Sequence, residues 1–213
     1  MGPGPLIDDL AAVPDVYRTQ LGKVVVASDE IRRRIAELGA AITRDYAEHE
    51  PLLVGVLKGA SLFLADLARE IHRPLRFDFM AISSYGSATK TSGIVRILKD
   101  LDHEIEGEHV IVVEDIIDSG LTLNYLLRYL RARHPASLEV CALFSKEGRQ
   151  RVPIPVRYEG FKIGPEFVVG YGLDFNERFR NLGFLAILAD HPETLGRRAA
   201  PALREPRSSP QSH

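Results

Sequence analysis

VIVVEDIIDSGLTL, residues 110–123, is the stretch from which the rest of the chain can be placed. Four apolar, strand-favouring residues, Val110 to Val113, run into two adjacent carboxylates, Glu114 and Asp115, with a third at Asp118. Ser119 and Gly120 make a small-residue turn, after which Leu123, Leu126, Leu127 and Leu130 fall at the spacing of one helical face. A continuously apolar strand is one buried on both sides, as in a parallel sheet. The turn and the helix start offer backbone N–H groups and the positive end of a helix dipole, a setting suited to a phosphate. Ser119 and Thr122 add hydroxyl donors. The carboxylates would repel a phosphate, so they address something else on the same ligand, either sugar hydroxyls or a Mg²⁺ ion. A ligand with a 5′-phosphate and a ribose diol close by satisfies both halves. Taken alone, the segment also has a plainer reading: solvated carboxylates in a tight turn, with Ser119 as the helix N-cap.

Outward from this stretch the pattern repeats. LLVGVL (52–57) is another short apolar run, and it passes through Lys58-Gly59 into ASLFLADLAREI, where Ala60, Leu64, Leu67 and Ile71 form a helical stripe. EIRRRIAELGAAITRDY (30–46) places Ile31, Ile35, Leu38 and Ile42 on one face and its charges on the other. RFDFMAIS (76–83), VRILKD (95–100), EVCALF (139–144) and FVVGYGL (167–173) read as strands. Buried strands alternating with amphipathic helices predict an α/β fold with right-handed crossovers and a mostly parallel sheet. Ligands in such folds sit beyond the carboxyl ends of the strands, near a topological switch point. Lys58-Gly59, Glu114 to Thr122, Lys146 and Asp174 all occupy such ends.

Composition bounds the reading. The 213 residues suit one domain, and seven of the 13 prolines lie in the flanks. We expect an N-terminal extension over 1–20, one domain over 21–190 and a disordered tail over 191–213, HPETLGRRAAPALREPRSSPQSH. With 27 basic and 29 acidic side chains the net charge is -2, so no global field recruits nucleic acid or a membrane surface. The single cysteine, Cys141, excludes an internal disulfide framework and predicts a buried, inert thiol in a reducing, cytoplasmic setting. The start of the chain, MGPGPLIDDL, lacks the basic flank of a secretory signal, and Leu6 replaces the Ser or Thr of a myristoylation motif. GYGLDF lacks the third glycine of a dinucleotide fingerprint, no P-loop motif is present, and the seven histidines have no zinc-site spacing.

The complete order of the opening motif (four apolar residues, Glu-Asp, two apolar residues, Asp-Ser-Gly, one residue, Thr) resembles the phosphoribosyl-pyrophosphate (PRPP) signature of type I phosphoribosyltransferases. VGVLKGA, SSYGSATKTSG, FSK and EFVVGYGLDFNERFRNL follow the order seen in hypoxanthine-guanine phosphoribosyltransferases, and the resemblance covers about residues 22–188. It implies a parallel sheet core flanked by helices, with a small hood over the site. It also implies purine salvage: transfer of 5-phosphoribosyl from PRPP to N9 of hypoxanthine or guanine, giving IMP or GMP, with Mg²⁺ as cofactor and a homodimer or homotetramer as the assembly. A xanthine-preferring enzyme, an RNA-binding regulator on the same fold, and a nucleotide-binding module without turnover are the alternatives.

The resemblance assigns roles residue by residue. Asp118 is the expected general base at purine N7, and residues Asp118, Ser119, Gly120, Leu121 and Thr122 are expected to hold the 5′-phosphate. Lys58, Gly59 and Arg180 are expected at the pyrophosphate, and Glu114, Asp115 and Asp174 at the metal, with Glu114 and Asp115 also reaching the ribose. SSYGSATKTSGIV (83–95) reads as a flap in which Ser84 and Tyr85 close on the pyrophosphate, or as an incidental loop with Tyr85 packed at a hinge. Lys146 can donate to the 6-oxo group of a purine and so disfavour adenine. Phe167 is a core aromatic by default and a purine-stacking one by resemblance, with Val168 and Asp174 beside the purine edge. Arg178 reads as a solvated surface residue. Ser145 and Glu147 depart from the Asp and Pro that flank this lysine in many relatives.

Overall fold

The computed structural model describes residues 13–84 and 95–189. A short helix α1 (Asp15–Arg18) and strand β1 (Leu21–Val26) lead into α2 (Ser28–Asp45). Strand β2 (Pro51–Leu57) and α3 (Ala60–Glu70) precede a hairpin of β3 (Arg76–Ser84) and β4 (Val95–Lys99). Then come β5 (His109–Ile117), α4 (Leu121–Arg131), β6 (Ser137–Lys146), β7 (Tyr158–Ile163), β8 (Val168–Val169) and β9 (Leu185–Leu188).

The central sheet has the order β4-β3-β2-β5-β6-β7 and is parallel except for the antiparallel edge strand β4. The chain leaves β2 toward β3 on one side and leaves β5 toward β6 on the other, so the order reverses between β2 and β5. This is the topological switch point where such sheets open a crevice. Gly55 pairs with Val113, which brings the chain after Leu57 and the pair Glu114–Asp115 out side by side.

Strand alternation divides the core into two layers. Leu53, Ile111, Val113, Cys141 and Leu143 face α2 and α3, burying Ile31, Ile35, Leu38 and Ile42 together with Phe63, Leu64 and Leu67. Val54, Val110, Val112, Val140 and Ala142 face α4 and bury Leu123, Leu126, Leu127 and Leu130. Each such leucine stabilises the fold by about 2 kcal/mol relative to exposure. Burial also pushes the Cys141 thiol up, out of the range of a nucleophile.

A second, antiparallel sheet β1-β9-β8 forms the hood. Its cluster contains Leu21, Val169, Phe179, Leu182, Phe184, Ala186 and Leu188. Residues before β1 pack on it, with Val13 buried and the Tyr17 ring 5.2 Å from that of Phe179.

The observed elements differ from the expected ones in defined places. β5 continues to Ile117 and β6 to Lys146, so Glu114, Asp115 and Lys146 are strand residues. FVVGYGL is not one strand: Val168–Val169 pair with β9, and the backbone then turns through positive φ at Gly170, Tyr171 and Gly172, closed by a bridge between Gly170 and Leu173. The parallel pair β6–β7 is joined by residues 147–157 without a helix. Strands β1, β7 and β9 were not anticipated by the apolar pattern. Tyr85 with most of the expected flap, and the expected tail, lie outside the described residues. Among the described residues, no helix is long and apolar enough to cross a membrane.

Candidate active site

At the switch point the Leu57–Lys58 peptide bond is cis, and Gly59 opens α3 with helical torsions. A Cβ on Gly59 would lie 1.6 Å from Asp115 Oδ2, and a Cβ on Gly172 would lie 2.1 Å from the Gly59 carbonyl oxygen. The start of α3 is therefore pressed between the Asp115 carboxylate and the hood turn, which is feasible only because both positions lack a side chain. The sequence reading gave Gly59 a close approach to ligand; the structure shows that its first close neighbour is Asp115.

Arg180 ties the hood turn together. Its Nη1 donates to the Gly172 carbonyl at 2.8 Å, and its Nη2 meets Asp174 Oδ1 at 2.7 Å. Asp174 Oδ2 accepts from the Glu177 N–H at 2.9 Å, and Glu177 in turn meets Lys58 Nζ at 3.1 Å. Thus the Lys58 ammonium reaches across to the hood. The Nε of Arg180 is buried without a partner among the described residues, a donor left over for a ligand.

The two strand carboxyls are held in unusual states. Burial pushes Asp115 up to about 6; the Ile116 N–H and the charge of Arg180 work against that rise, and Asp174 adds to it. Glu114 is raised well above the ordinary carboxylate range by burial first and by Asp115 second. The pair is an acidic donor set short of positive charge, which fits a hard divalent cation. Among the described residues no three His, Cys, Asp or Glu side chains come together as a metal cluster. Glu114, Asp115 and Asp174, the three expected at the metal, therefore do not form one preformed site, and each would offer its oxygens to such a cation separately.

Because successive strand residues face opposite ways, Glu114 lies on the α4 side while Asp115 lies against Gly59. With Ile116, Ile117, Asp118, Ser119, Gly120, Thr122 and Leu123, Glu114 lines a cavity of about 140 Å³ at the start of α4. The residue that caps α4 is Gly120, with φ 76° and no side-chain capping bond. Ser119 Oγ approaches the Leu121 N–H only to 3.4 Å, so the plainer reading of Ser119 as N-cap does not hold. Beyond this long contact, the N–H groups of the first turn stand at the cavity end of the helix without a capping side chain.

Asp118 stands between two cations. Lys146 Nζ lies 3.6 Å from its Oδ2, and Arg149 Nε donates to its Oδ1 at 3.2 Å. Lys146 itself is buried, with 7% of its side chain exposed. Beyond it, Ser145, Gln150, Ile154, Val156, Glu159 and Lys162 line a recess of about 510 Å³. Ser145, one of the two departures from the family pattern, is buried with its Oγ unpartnered among the described residues. Glu147, the other, donates its N–H to the Ile163 carbonyl at 3.0 Å.

Phe167 is not a core aromatic. It is 40% exposed, with its ring edge-on to Phe175 at 5.9 Å. Val168 is buried in the same cluster as Phe144 and Ile163. Arg178 is exposed, as expected. Ser84 ends β3, but its side chain and the whole of Tyr85 are outside the described residues. Sequence reasoning missed Arg149, Glu177 and the hydrogen bond from the Tyr171 hydroxyl to Asp66, which latches the hood turn to α3. Arg149 had one visible signal: it stands three residues after Lys146, across a glycine.

A family model described as phosphoribosyl transferase domain matches residues 25–176. The hypoxanthine-guanine phosphoribosyltransferase of Mycobacterium avium is 48% identical over 180 residues, covering 82% of this chain and 89% of that protein. The corresponding protein of Bacillus subtilis (strain 168) is 46% identical over 173 residues, covering 81% of this chain and 96% of its own length. Among solved structures, a hypoxanthine phosphoribosyltransferase from Staphylococcus aureus superposes with a TM-score of 0.80 at 40% identity, covering 85% of this chain and 98% of that one.

Proposed function

The chain belongs to the phosphoribosyl transferase domain family, among the hypoxanthine-guanine phosphoribosyltransferases, and from that premise we propose how its own residues perform the reaction. The enzyme is a purine salvage transferase that moves 5-phosphoribosyl from PRPP to N9 of hypoxanthine or guanine, releasing pyrophosphate and IMP or GMP. The relatives named above give no support to a xanthine-preferring or RNA-binding reading. The observation that carries the mechanism is the meeting of the anion-ready α4 start, the carboxyl pair and the Gly59–Gly172–Arg180 contact at one switch point.

The 5′-phosphate binds at residues 118–122, where N–H groups of the turn and first helical residues and the Thr122 hydroxyl are donors. That contact fixes the reacting C1 carbon relative to the purine. Glu114 and Asp115 accept from the ribose hydroxyls and favour the positive charge that grows as the C1–oxygen bond to pyrophosphate lengthens. Arg180 and the backbone at Lys58-Gly59 receive the departing pyrophosphate. Glu114, Asp115 and Asp174 are the carboxylates that would hold a Mg²⁺ ion, which would supply charge neutralisation to the leaving group. N9 forms the new bond to C1, the bonding pair leaves with pyrophosphate, and the purine gives its proton to Asp118 at N7. Lys146 donates to the 6-oxo group, and Phe167 offers its exposed face to the purine while Val168 and Asp174 border the purine edge. Ser84 and Tyr85 belong to the proposed flap, and a cytoplasmic homodimer or homotetramer is the proposed working form.

Asp118→Asn tests the base. It should lower kcat far more than it raises the KM for PRPP, and an unchanged kcat would remove Asp118 from the role. Lys146→Ala should weaken hypoxanthine use, and an unaltered hypoxanthine/adenine preference would remove Lys146 from recognition.

A further inference from the structure

Arg149 lies outside every role assigned above, yet its side chain is the one that donates to Asp118 Oδ1, at 3.2 Å. By charge alone the pair would carry little weight, since Arg149 is 52% and Asp118 44% exposed and exposed ion pairs contribute little. What sets it apart is the backbone that delivers it. The segment after β6 is fastened at one end by the Glu147 N–H to the Ile163 carbonyl at 3.0 Å, and turns at Gly148 with φ 69°. It is fastened again by the Arg151 N–H to the Ser119 carbonyl at 2.9 Å. Val152 and Ile154 pack where a Cβ on Gly120 would reach, so the segment rests on the phosphate turn itself. Arg149 is carried between these two anchors, directly over the carboxylate.

The carboxylate is thereby divided: Oδ1 to Arg149, Oδ2 toward Lys146 at 3.6 Å. We propose that Arg149 is a positioning residue for the transfer, fixing the Asp118 carboxylate through Oδ1 so that Oδ2 faces the purine when Lys146 turns to the 6-oxo group. The inference rests on the reading of Asp118 as general base and Lys146 as purine donor. Without Arg149 the carboxylate follows the ammonium or rotates into solvent, and the proton acceptor is no longer aligned in the bound complex. A directional guanidinium N–H suits this task better than a mobile ammonium.

The test is a double-mutant cycle of Arg149→Ala and Asp118→Asn, with kcat and the KM values for PRPP and hypoxanthine measured separately. Arg149→Ala should lower kcat about tenfold and leave the KM for PRPP within about twofold. In the Asp118→Asn background the same substitution should change kcat by less than about twofold, because the group it positions is gone. Arg149→Lys should recover part of the rate, since an ammonium still meets one oxygen. A wild-type kcat in Arg149→Ala would overturn the proposal, as would an equal tenfold loss in both backgrounds. A raised KM for PRPP with kcat retained would overturn it too, making Arg149 a phosphate ligand. If Asp118→Asn itself keeps its kcat, the reading of Asp118 fails; if only Arg149→Ala does, this inference fails and that reading stands.

Discussion

Gly59→Ala displaces the Asp115 carboxylate without removing any charged group. Gly59 has φ -56° and ψ -47°, torsions that alanine adopts without strain. The new Cβ, however, would stand 1.6 Å from Asp115 Oδ2 and 2.6 Å from its Cγ. To reach even the 3.0 Å that Cβ contacts tolerate, the carboxylate oxygen must retreat by about 1.4 Å. A misplacement of about 1 Å in a positioned group is worth about 100-fold in rate, or about 2.7 kcal/mol. We therefore expect kcat/KM for PRPP to fall about 100-fold, while the overpacking costs the empty protein about 1–3 kcal/mol of unfolding free energy and leaves it folded. Steady-state kinetics with PRPP varied gives the first number, and urea unfolding gives the second. Wild-type protein should also gain Tm on addition of PRPP with Mg²⁺, and the variant should lose most of that gain. A folded Gly59→Ala protein with kcat/KM for PRPP within about threefold of wild type would refute the placement of Asp115 in the PRPP site.

Other consequences are simpler to read. Tyr171→Phe removes the bond to Asp66 that latches the hood turn, and should cost about 1–2 kcal/mol in urea unfolding; no loss would mean the latch holds nothing. Asp78 would be raised by burial, but the N–H groups of Asp102 and Phe79 and the Lys99 ammonium outweigh this and hold it below its ordinary value. Its contribution is therefore present above the unfolded pKa of about 4 and is lost as pH falls through the folded value. The stability gap between wild type and Asp78→Asn should narrow between pH 7 and pH 3, and a gap that does not change with pH would contradict the pairing. Cys141, fully buried, should resist a thiol reagent in the native protein and react only at the rate of opening, so fast native labelling would contradict the core assignment.

The central sheet was legible because burial on both faces leaves continuous apolar runs, and because Leu123 to Leu130 and Ile31 to Ile42 carry the helical period. The hood was not. β8 has only two residues, and its neighbours Gly170, Tyr171 and Gly172 bend the chain where the apolar letters suggested a longer strand. β1 gains its partner β9 from the other end of the chain, with Leu21 opposite Leu188, a pairing that local pattern does not carry. The site divides in the same way. Glu114, Asp115, Asp118 and Lys146 could be named from strand ends, since chemistry at a switch point collects there. The Arg149 and Tyr171 contacts depend on how two loops cross, and the Ser119 cap failed because the left-handed Gly120 starts the helix one residue later.

The most direct measurement is product formation from PRPP and Mg²⁺ with hypoxanthine, guanine, xanthine and adenine in parallel, the nucleotides identified by mass and chromatography. The site described here, with Lys146 at the 6-oxo group, predicts IMP and GMP with little AMP. Bound PRPP with no nucleotide from hypoxanthine or guanine, or AMP as the main product, would contradict it.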